Sequence, residues 1–334
     1  MSTPRRRALA LLAGLAAAFP LAGPVHAQSF PDHPITLVTG FAPGGSTDIA
    51  ARFVADRMQA HLPNGRIVVE NRPGASGVVA ADWLRRQPAD GYTIMLIEAS
   101  SHSVAPNAIR GGTRYNPIDD FTPIAIVGTG PLLLIASNDF PARDAVAAVR
   151  LLRESPPDRF TYASSGVGSI PQLAAELLRV RLGTHGEFPH AAYRSGGQMV
   201  ESIARNETGW GIAVLASAAQ QVRDGRVRGL AVTGPRRTPA FPDIPTLAEG
   251  ALPGFEIETY NAIIGPRGIP GPVQAALNRA INAAIAEPGL RERLQTAGVD
   301  AVGPNTPEET RTFLVEQLSR FQEIVRSTGV TLEP

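Results

Sequence analysis

The chain has 334 residues, of which 18% are charged, and its formal net charge is +1. Beyond its first residues it has no basic tract of the kind that binds nucleic acid. It contains no cysteine and no lysine, which excludes disulfides, a thiol nucleophile, a P-loop and enzymes that form a Schiff base with lysine. The length is sufficient for a large core and for more than one domain-sized unit.

The N-terminus has the pattern of a secretory signal. Three arginines at positions 5–7 precede an apolar run over residues 8–21 that is too short to span a bilayer, and a small-x-small site follows at residues 25–27. We therefore predict cleavage near Ala27 and export, by the general or the twin-arginine route. An uncleaved N-terminal anchor is the weaker alternative. Because no other long apolar run follows, we expect the mature chain to be soluble.

Short apolar runs alternate with helical patterns in the first part of the mature chain, which predicts βα units and a mainly parallel sheet. Strands are expected over residues 35–41, 66–70 and 92–97. Helices are expected over residues 48–62 and up to about residue 86.

A second series of elements begins near residue 124. Two separate strands are predicted at 124–127 and 132–136, because Gly128 and Gly130 lie between them. The other elements expected in this part are helices over 142–154 and 170–182, a helix opened by residues 195–197, and strands over 160–163, 188–193 and 229–233.

The C-terminal part is expected to be extended over 255–265 and helical over 272–286. Thr306, Pro307 and Glu309 form a capping-box pattern that predicts the start of a last helix, which runs to about Ser327.

These elements predict an α/β fold with two lobes that share the chain and a cleft between them. Residues 28–125 and 235–334 are expected to form the first lobe, and residues 126–234 the second. Strands that cross between the lobes would form a hinge, and a cleft of this kind is a common ligand site.

Two Gly/Ser-rich turns, each placed between a predicted strand and a predicted helix, are the main candidates for function. Several backbone N–H groups converge at such a turn where the helix dipole is positive, so the turn can hold a carboxylate. The ligand-binding residues predicted there are Ala42, Pro43, Gly44, Gly45, Ser46, Thr47, Ser164, Ser165, Gly166, Gly168 and Ser169. Both turns could instead be tight connections without a ligand, and Ser169 could be a helix cap.

Two more residues are predicted to contact the ligand because they follow strands: Ser101 and Tyr193. Asp48 is predicted to be structural, since an acid in the first turn of a helix satisfies free N–H groups and would repel an anionic ligand. We expect His102 to be an interior histidine and Arg72 to form an ion pair within its lobe.

Several motifs occur in an order that resembles one known family, the Bug-type periplasmic receptors related to the receptor component of tripartite tricarboxylate transporters. The motifs span almost the whole mature chain and are Phe30-Pro31-Asp32-His33-Pro34-Ile35, Phe41-Ala42-Pro43-Gly44-Gly45-Ser46-Thr47-Asp48, Glu70-Asn71-Arg72-Pro73-Gly74-Ala75, Ala89-Asp90-Gly91-Tyr92-Thr93, Tyr162-Ala163-Ser164-Ser165-Gly166-Val167-Gly168-Ser169, Tyr193-Arg194-Ser195-Gly196-Gly197 and Phe241-Pro242-Asp243-Ile244-Pro245-Thr246-Leu247.

This resemblance implies a two-lobed periplasmic-binding-protein or Venus-flytrap fold, in which the receptor closes its lobes on a small carboxylated ligand. It places the ligand carboxylate at the turns from Ala42 to Thr47 and from Ser164 to Ser169, partly through water. It also implies that integral membrane subunits of a transporter receive the ligand. We expect a monomer with no cofactor, no metal and no catalytic residue.

One stretch departs from the family pattern. Many members carry two acids around the strand that follows the Tyr193–Gly197 motif, whereas this chain has Gly209 and Ala213 at the aligned positions. If those acids hold an amine in other members, an amino-acid ligand is disfavoured here. Trp210 could line the cleft, although a place in the core is the better expectation.

Two alternatives from other classes remain at this point. One is a secreted hydrolase of an acidic ester or amide, for which no G-x-S-x-G motif or metal-ligand spacing is present. The other is a receptor that passes its closed form to a signalling partner. The sequence does not say which organic acid or amide is bound.

Overall fold

The computed structural model describes residues 30–184 and 186–333. The predicted export signal at residues 1–27 lies outside the described residues. Among the helices that are described, none combines the length and the apolar character that crossing a bilayer requires.

The described residues form an α/β fold built on one continuous, strongly mixed sheet. Its strands in chain order are β1 (Ile35–Thr39), β2 (Ile67–Asn71), β3 (Thr93–Glu98), β4 (Phe121–Ala136), β5 (Tyr162–Ser164), β6 (His190–Ala192), β7 (Trp210–Val214), β8 (Arg228–Val232), β9 (Glu258–Pro266) and β10 (Asp300–Ala301). The helices are α1 (Ser46–Met58), α2 (Val78–Leu84), α3 (Ala105–Ala108), α4 (Ala145–Glu154), α5 (Ile170–Leu182), α6 (Gly196–Ala204), α7 (Leu215–Arg223), α8 (Leu247–Gly250), α9 (Gly271–Ala286), α10 (Pro288–Thr296) and α11 (Pro307–Thr328).

The sheet has two halves that share β4. In the first half the order is β2-β1-β3-β9-β4, with β1, β2 and β3 parallel and β9 antiparallel to both neighbours. In the second half β4 continues to β7, β5 and β6, while β8 pairs with β4 on its other side. The carboxyl ends of β1 and β5 lead into the two Gly/Ser-rich turns. The assignment of residues to two lobes, with boundaries at 125 and 235, stays a prediction.

The prediction of two strands around Gly128 and Gly130 is wrong, because β4 is one strand of 16 residues. Both glycines permit a close approach of β10 and the loop before it: a Cβ atom would lie 2.7 Å from the Asp300 carbonyl oxygen at Gly128 and 2.4 Å from the Gly298 carbonyl oxygen at Gly130. The ladder to β9 has two register shifts, one between Pro123 and Ala125 and one between Ile126 and Gly128. The glycines therefore serve packing rather than strand termination.

Other boundaries differ by a few residues for local reasons. The helix predicted from residue 142 begins at Ala145, because the Asp144 side chain accepts a hydrogen bond from the Ala147 amide (2.7 Å) and caps it there. The strand expected over 188–193 is confined to β6. The capping box of the last helix is confirmed, since Thr306 and Glu309 satisfy each other's backbone N–H groups.

Trp210 lies in the core of the second half, which was the better of the two expectations for it. It is fully buried, packs against Tyr162 and Phe188, and donates its indole N–H to the Phe160 carbonyl oxygen at 3.3 Å. It is therefore a packing residue and not part of the cleft.

Candidate functional site

The first Gly/Ser-rich turn is held in shape by Asp48. This buried carboxylate accepts hydrogen bonds from the backbone N–H of Gly44 (3.0 Å), the Arg52 guanidinium (3.0 Å) and the side-chain amide of Asn71 (2.9 Å). Burial by itself would raise the pKa of Asp48, but the hydrogen bonds from Arg52, Gly44 and Asn71 lower it below its usual value. Asp48 thus has the structural role that its position in the first turn of α1 predicts. Asn71 stabilises the same Gly/Ser-rich turn, because its side chain also donates to the Phe41 carbonyl oxygen.

The same turn packs directly against the second half of the sheet. The Ser46 amide donates to the Ser217 hydroxyl at 3.0 Å. A Cβ atom at Gly45 would lie 3.6 Å from Cβ of Ser195, and one at Gly197 would lie 2.8 Å from the Gly44 carbonyl oxygen. Two of the amides expected to hold a ligand, those of Gly44 and Ser46, therefore already have protein acceptors.

The second Gly/Ser-rich turn is organised by its own serines. Ser169 caps α5 by accepting a hydrogen bond from the Gln172 amide, and Gly168 donates its amide to the Gln172 side chain at 2.7 Å. Ser164 accepts from the Gly166 amide at 3.1 Å and lies 2.6 Å from His190 Nε2. The N-cap role predicted as the alternative for Ser169 is present in the structure.

A cavity of about 380 Å³ lies where the two halves face each other. Two backbone segments of the first half, at residues 40–41 and 73–76, meet two of the second half there, at residues 165–167 and 192–194. The lining residues are Gly40, Phe41, Pro73, Gly74, Ala75, Ser76, Ser165, Gly166, Val167, Ala192, Tyr193 and Arg194. Ligand pockets commonly have volumes of about 300–1,000 Å³, so this cavity suits a small molecule.

Of the residues predicted from the sequence, Ser165, Gly166 and Tyr193 line this cavity. The other predicted residues are not part of its lining: Ala42, Pro43, Gly44, Gly45, Ser46, Thr47, Ser101, Ser164, Gly168 and Ser169. Contact of any of these residues with a ligand stays a prediction.

The main omission is the loop from Pro73 to Ser76, which follows β2 and forms one wall of the cavity. Its Pro-Gly-Ala-Ser-Gly sequence is a third glycine-rich turn after a strand. It therefore has the same sequence pattern as the two turns predicted to bind the ligand. Gly74, Ala75 and Ser76 have φ angles of 154°, 43° and 52°. Ala75 and Ser76 therefore occupy the left-handed region that usually favours glycine.

The loop is joined to the second half by a hydrogen bond at the cavity. The Ser76 hydroxyl donates to the Val167 carbonyl oxygen at 2.7 Å. Gly166 permits this approach, because a Cβ atom there would lie 3.0 Å from Ser76 Oγ. Ser76 is buried although its neighbour Val167 is half-exposed. The cavity is thus closed on this side by a contact between the two halves.

Ser101 and His102 follow β3 but lie inside the first half. The Ser101 hydroxyl is 2.9 Å from His102 Nδ1, and both side chains are buried. Burial lowers the pKa of His102 to about 3, so the ring is neutral at physiological pH. His102 is an interior histidine, as expected, and its ring packs near Tyr115 and Phe121.

Arg72 forms the expected ion pair within its own half. Its Nε lies 2.6 Å from a Glu70 carboxylate oxygen, and its guanidinium stacks 3.7 Å from the centre of the Trp83 ring. It does not line the cavity.

The pair formed by Ser164 and His190 resembles part of a nucleophilic dyad, but its surroundings do not suit catalysis. Ser164 is fully buried and does not line the cavity. Burial also lowers the pKa of His190, whose ring stacks on Tyr162 with centroids 4.6 Å apart. Within the described ranges, no group of three His, Cys, Asp or Glu side chains could hold a metal ion.

The sequence profile described as "Tripartite tricarboxylate transporter family receptor" matches residues 50–330. The chain belongs to this receptor family. Protein BugT of Bordetella pertussis is 31% identical to this receptor over 327 residues, which cover 98% of this chain and 99% of BugT.

Solved structures agree with the family assignment. Rpa4515 of R. palustris with adipate is 27% identical to this chain. The superposition has a TM-score of 0.86 and covers 91% of this chain and 100% of the Rpa4515 chain. MatC (Rpa3494) from Rhodopseudomonas palustris with bound malate is 29% identical to this chain. The superposition has a TM-score of 0.83 and covers 89% of this chain and 100% of the MatC chain. The predicted two-lobed periplasmic-binding-protein fold is confirmed. The receptor is a solute-binding protein and not an enzyme, which removes the hydrolase alternative.

Proposed function

We propose that this receptor captures a small carboxylated molecule in the cavity between the two halves of the sheet. The observation that carries the proposal is the cavity itself: glycine-rich turns from both halves line it, and among the residues that the structure describes its lining includes Arg194 and no Asp or Glu. Two structural neighbours of the same family hold adipate and malate. A carboxylate is the group that amides, hydroxyls and a guanidinium recognise together.

The binding step requires no chemistry beyond closure. Turns from both halves would donate hydrogen bonds to the ligand, and the seam would exclude water from them. Hydrogen bonds to a charged group contribute about 1.5–3 kcal/mol each. Three or four of them, reduced by the cost of ordering the ligand and the lobes, are sufficient for about micromolar affinity.

We further propose that the receptor acts in the periplasm and passes its ligand to integral membrane subunits of a transporter. The pattern at residues 1–27 supports export. The family description supports the transporter partner. A receptor that works by capture needs no cofactor, and we expect it to act as a monomer.

Thermal unfolding with a panel of mono-, di- and tricarboxylates tests the proposal. A ligand present at 100 times its Kd stabilises the folded state by about 2.7 kcal/mol, which is a shift of a few degrees in Tm. Matched neutral amides serve as controls and should give a smaller shift. A panel in which no carboxylate raises Tm more than its amide would contradict the proposed function.

A further inference from the structure

One buried acid lies at the edge of the first half that faces the cavity. β1 and β3 are parallel neighbours, so their carboxyl ends lie at the same edge of the sheet. Gly40 and Phe41 follow β1 and line the cavity, while Glu98 ends β3 and is 3% exposed. Capture of an anion as proposed above does not use this acid.

Ser100 connects Glu98 to the second half. The Ser100 hydroxyl donates to a Glu98 carboxylate oxygen at 2.6 Å, and its oxygen accepts a hydrogen bond from the Ile170 amide at 3.0 Å. Ile170 is the first residue of α5, so its N–H is one of the free amides at that helix terminus. This terminus directly follows the second Gly/Ser-rich turn. The start of α5 is therefore capped in part from the first half, and only while the two halves are in contact.

The contact between the halves also decides how well Glu98 is hydrated. Separation of the halves would break the hydrogen bond between Ser100 and Ile170 and would open this edge of the sheet to water. Burial disfavours the ionised form of an acid, and it raises the pKa of Glu98 to about 7 while the halves are in contact. Hydration would return that pKa toward its ordinary value. An anionic ligand in the neighbouring cavity would favour the neutral form as well.

The titratable groups on the elements packed around Glu98 do not compete with it near neutral pH. β9 contributes Tyr260, whose pKa burial raises, and the segment after β3 contributes His102, whose pKa burial lowers to about 3. In the part of the chain that the structure describes, no charged side chain contributes to the pKa of Glu98. The ion pairs on α5 and α11, which pack against residues 100–104, include Glu176 with Arg179 and Arg320 with Glu256.

We propose that Glu98 and Ser100 are positioning residues for ligand capture, and that closure of the two halves takes up a proton at Glu98. They act through the Ile170 amide on the start of α5 and on the turn before it. This inference deepens the proposed function and rests on it, because closure on the ligand is the step that it couples to a proton. Each unit by which opening lowers the pKa of Glu98 changes the ratio of closed to open receptor about tenfold, so the ligand should bind more tightly at lower pH.

Isothermal titration calorimetry on the mature receptor tests the proposal with adipate, malate and benzoate. An acid that binds should do so about tenfold more tightly at pH 5.5 than at pH 8.0. At pH 6.5, titrations in two buffers of different ionisation enthalpy should show the uptake of about half a proton per ligand bound.

Variants then assign the proton. Glu98→Gln keeps the size of the side chain and cannot ionise, so it should bind the ligand with similar affinity at both pH values and take up no proton. Ser100→Ala removes the hydrogen bond that lowers the pKa of Glu98, so the pH at which affinity falls should move upward, which a merely structural role would not cause. Glu316→Gln, exposed on α11, is the control and should keep the wild-type profile. Thermal melts followed by circular dichroism establish that each variant is folded.

The outcomes separate this inference from the proposed function. If an acid binds equally at both pH values, or if Glu98→Gln takes up as many protons as the wild type, the inference is wrong and the carboxylate-binding function stands. If none of the acids binds, the proposed function is wrong, and small-angle X-ray scattering of the ligand-free receptor decides the inference. The wild type should then be more compact at pH 5.5 than at pH 8.0, and Glu98→Gln equally compact at both. A wild-type radius of gyration that does not change with pH would overturn the coupling.

Discussion

Among the residues that the structure describes, Glu98 is a buried carboxyl group that has no ion-pair partner. It ends β3, and its carboxylate accepts a hydrogen bond from the Ser100 hydroxyl at 2.6 Å. Burial raises the pKa of Glu98 to about 7, although the hydrogen bond from Ser100 acts in the opposite direction. Ser100 in turn accepts from the Ile170 amide at 3.0 Å, so the group lies beside the seam between the halves.

This shift predicts how stability depends on pH. The pKa of Glu98 is higher in the folded state than in the unfolded state. The contribution of Glu98 to the free energy of unfolding is therefore fully present below about pH 4.5 and is lost as pH rises toward 7. Glu98→Gln should have nearly the same free energy of unfolding as the wild type at pH 4.5. As pH rises to 7.5, the variant should become more stable than the wild type. Chemical denaturation at several pH values measures the difference.

The comparison with the variant is needed because His102 titrates in the opposite sense. Its lowered pKa costs stability as pH falls below 6.5, so the two effects overlap in the wild type. Glu316→Gln, on the exposed side of α11, is the control and should show a constant difference from the wild type. A difference between Glu98→Gln and the wild type that is independent of pH would contradict the prediction.

At the scale of elements, β4 shows that a glycine within a strand can mark close packing rather than an end. Gly128 and Gly130 lie under β10 and the turn before it, where no side chain fits. Sequence reasoning placed a break at these residues because glycine is common in turns. The position of the neighbouring backbone, which only the folded chain shows, decides between the two uses.

Gly130→Ala should destabilise the receptor strongly. The new Cβ atom would lie 2.4 Å from the Gly298 carbonyl oxygen, so backbone must move, and overpacking of this kind costs about 1–3 kcal/mol. Gly271→Ala is the matched control, because nothing lies within 4 Å of its Cβ position at the start of α9. Urea denaturation of both variants measures the effect, and equal stability would show that β4 and β10 separate easily.

At the scale of the whole molecule, the two halves of the sheet are joined by a seam of polar contacts as well as by β4. The Ser46 amide meets the Ser217 hydroxyl, the Ser76 hydroxyl meets the Val167 carbonyl oxygen, and the Ile170 amide meets the Ser100 hydroxyl. Each contact joins a residue of the first half to a residue of the second half. The conformation described is therefore one in which the halves are in contact around the cavity.

Ser76 is the contact that combines a strained backbone with a hydrogen bond across the cavity. Ser76→Ala should lose the hydrogen bond, worth about 0.5–1.5 kcal/mol, and shift the ligand-free receptor toward an open form. Ser76→Gly should also lose the hydrogen bond and open the receptor, but its Tm should be higher than that of Ser76→Ala, because glycine adopts the left-handed conformation without the cost that alanine has. Small-angle X-ray scattering of the ligand-free protein should give a larger radius of gyration for both variants.

Asn64→Gly is the control for the backbone effect, since Asn64 has a φ of 51° and lies outside the cavity lining. It should not change the radius of gyration. If Ser76→Ala and Ser76→Gly scatter like the wild type with and without ligand, the hydrogen bond to Val167 does not contribute to closure.

Much of the fold follows from local sequence. The alternation of apolar runs with helical patterns predicted most strands and helices within a few residues, and α5 was predicted at its observed bounds. The cap of α11 and the contacts of Asp48 with Gly44 and Arg52 were also accessible, because they join residues within four positions of each other. The family followed from motifs distributed along the chain.

The sequence by itself determined the element order, the class of fold, the family and the presence of glycine-rich turns after strands, because these depend on local propensity and on short motifs. Only the tertiary structure decided which of those turns line the cavity, that Pro73 to Ser76 is one of them, and that Gly44 and Ser46 donate to the protein itself. The physical reason is that a free amide and a satisfied amide have the same sequence. What distinguishes them is the distance to an acceptor from a distant part of the chain, which exists only once the two halves have come together.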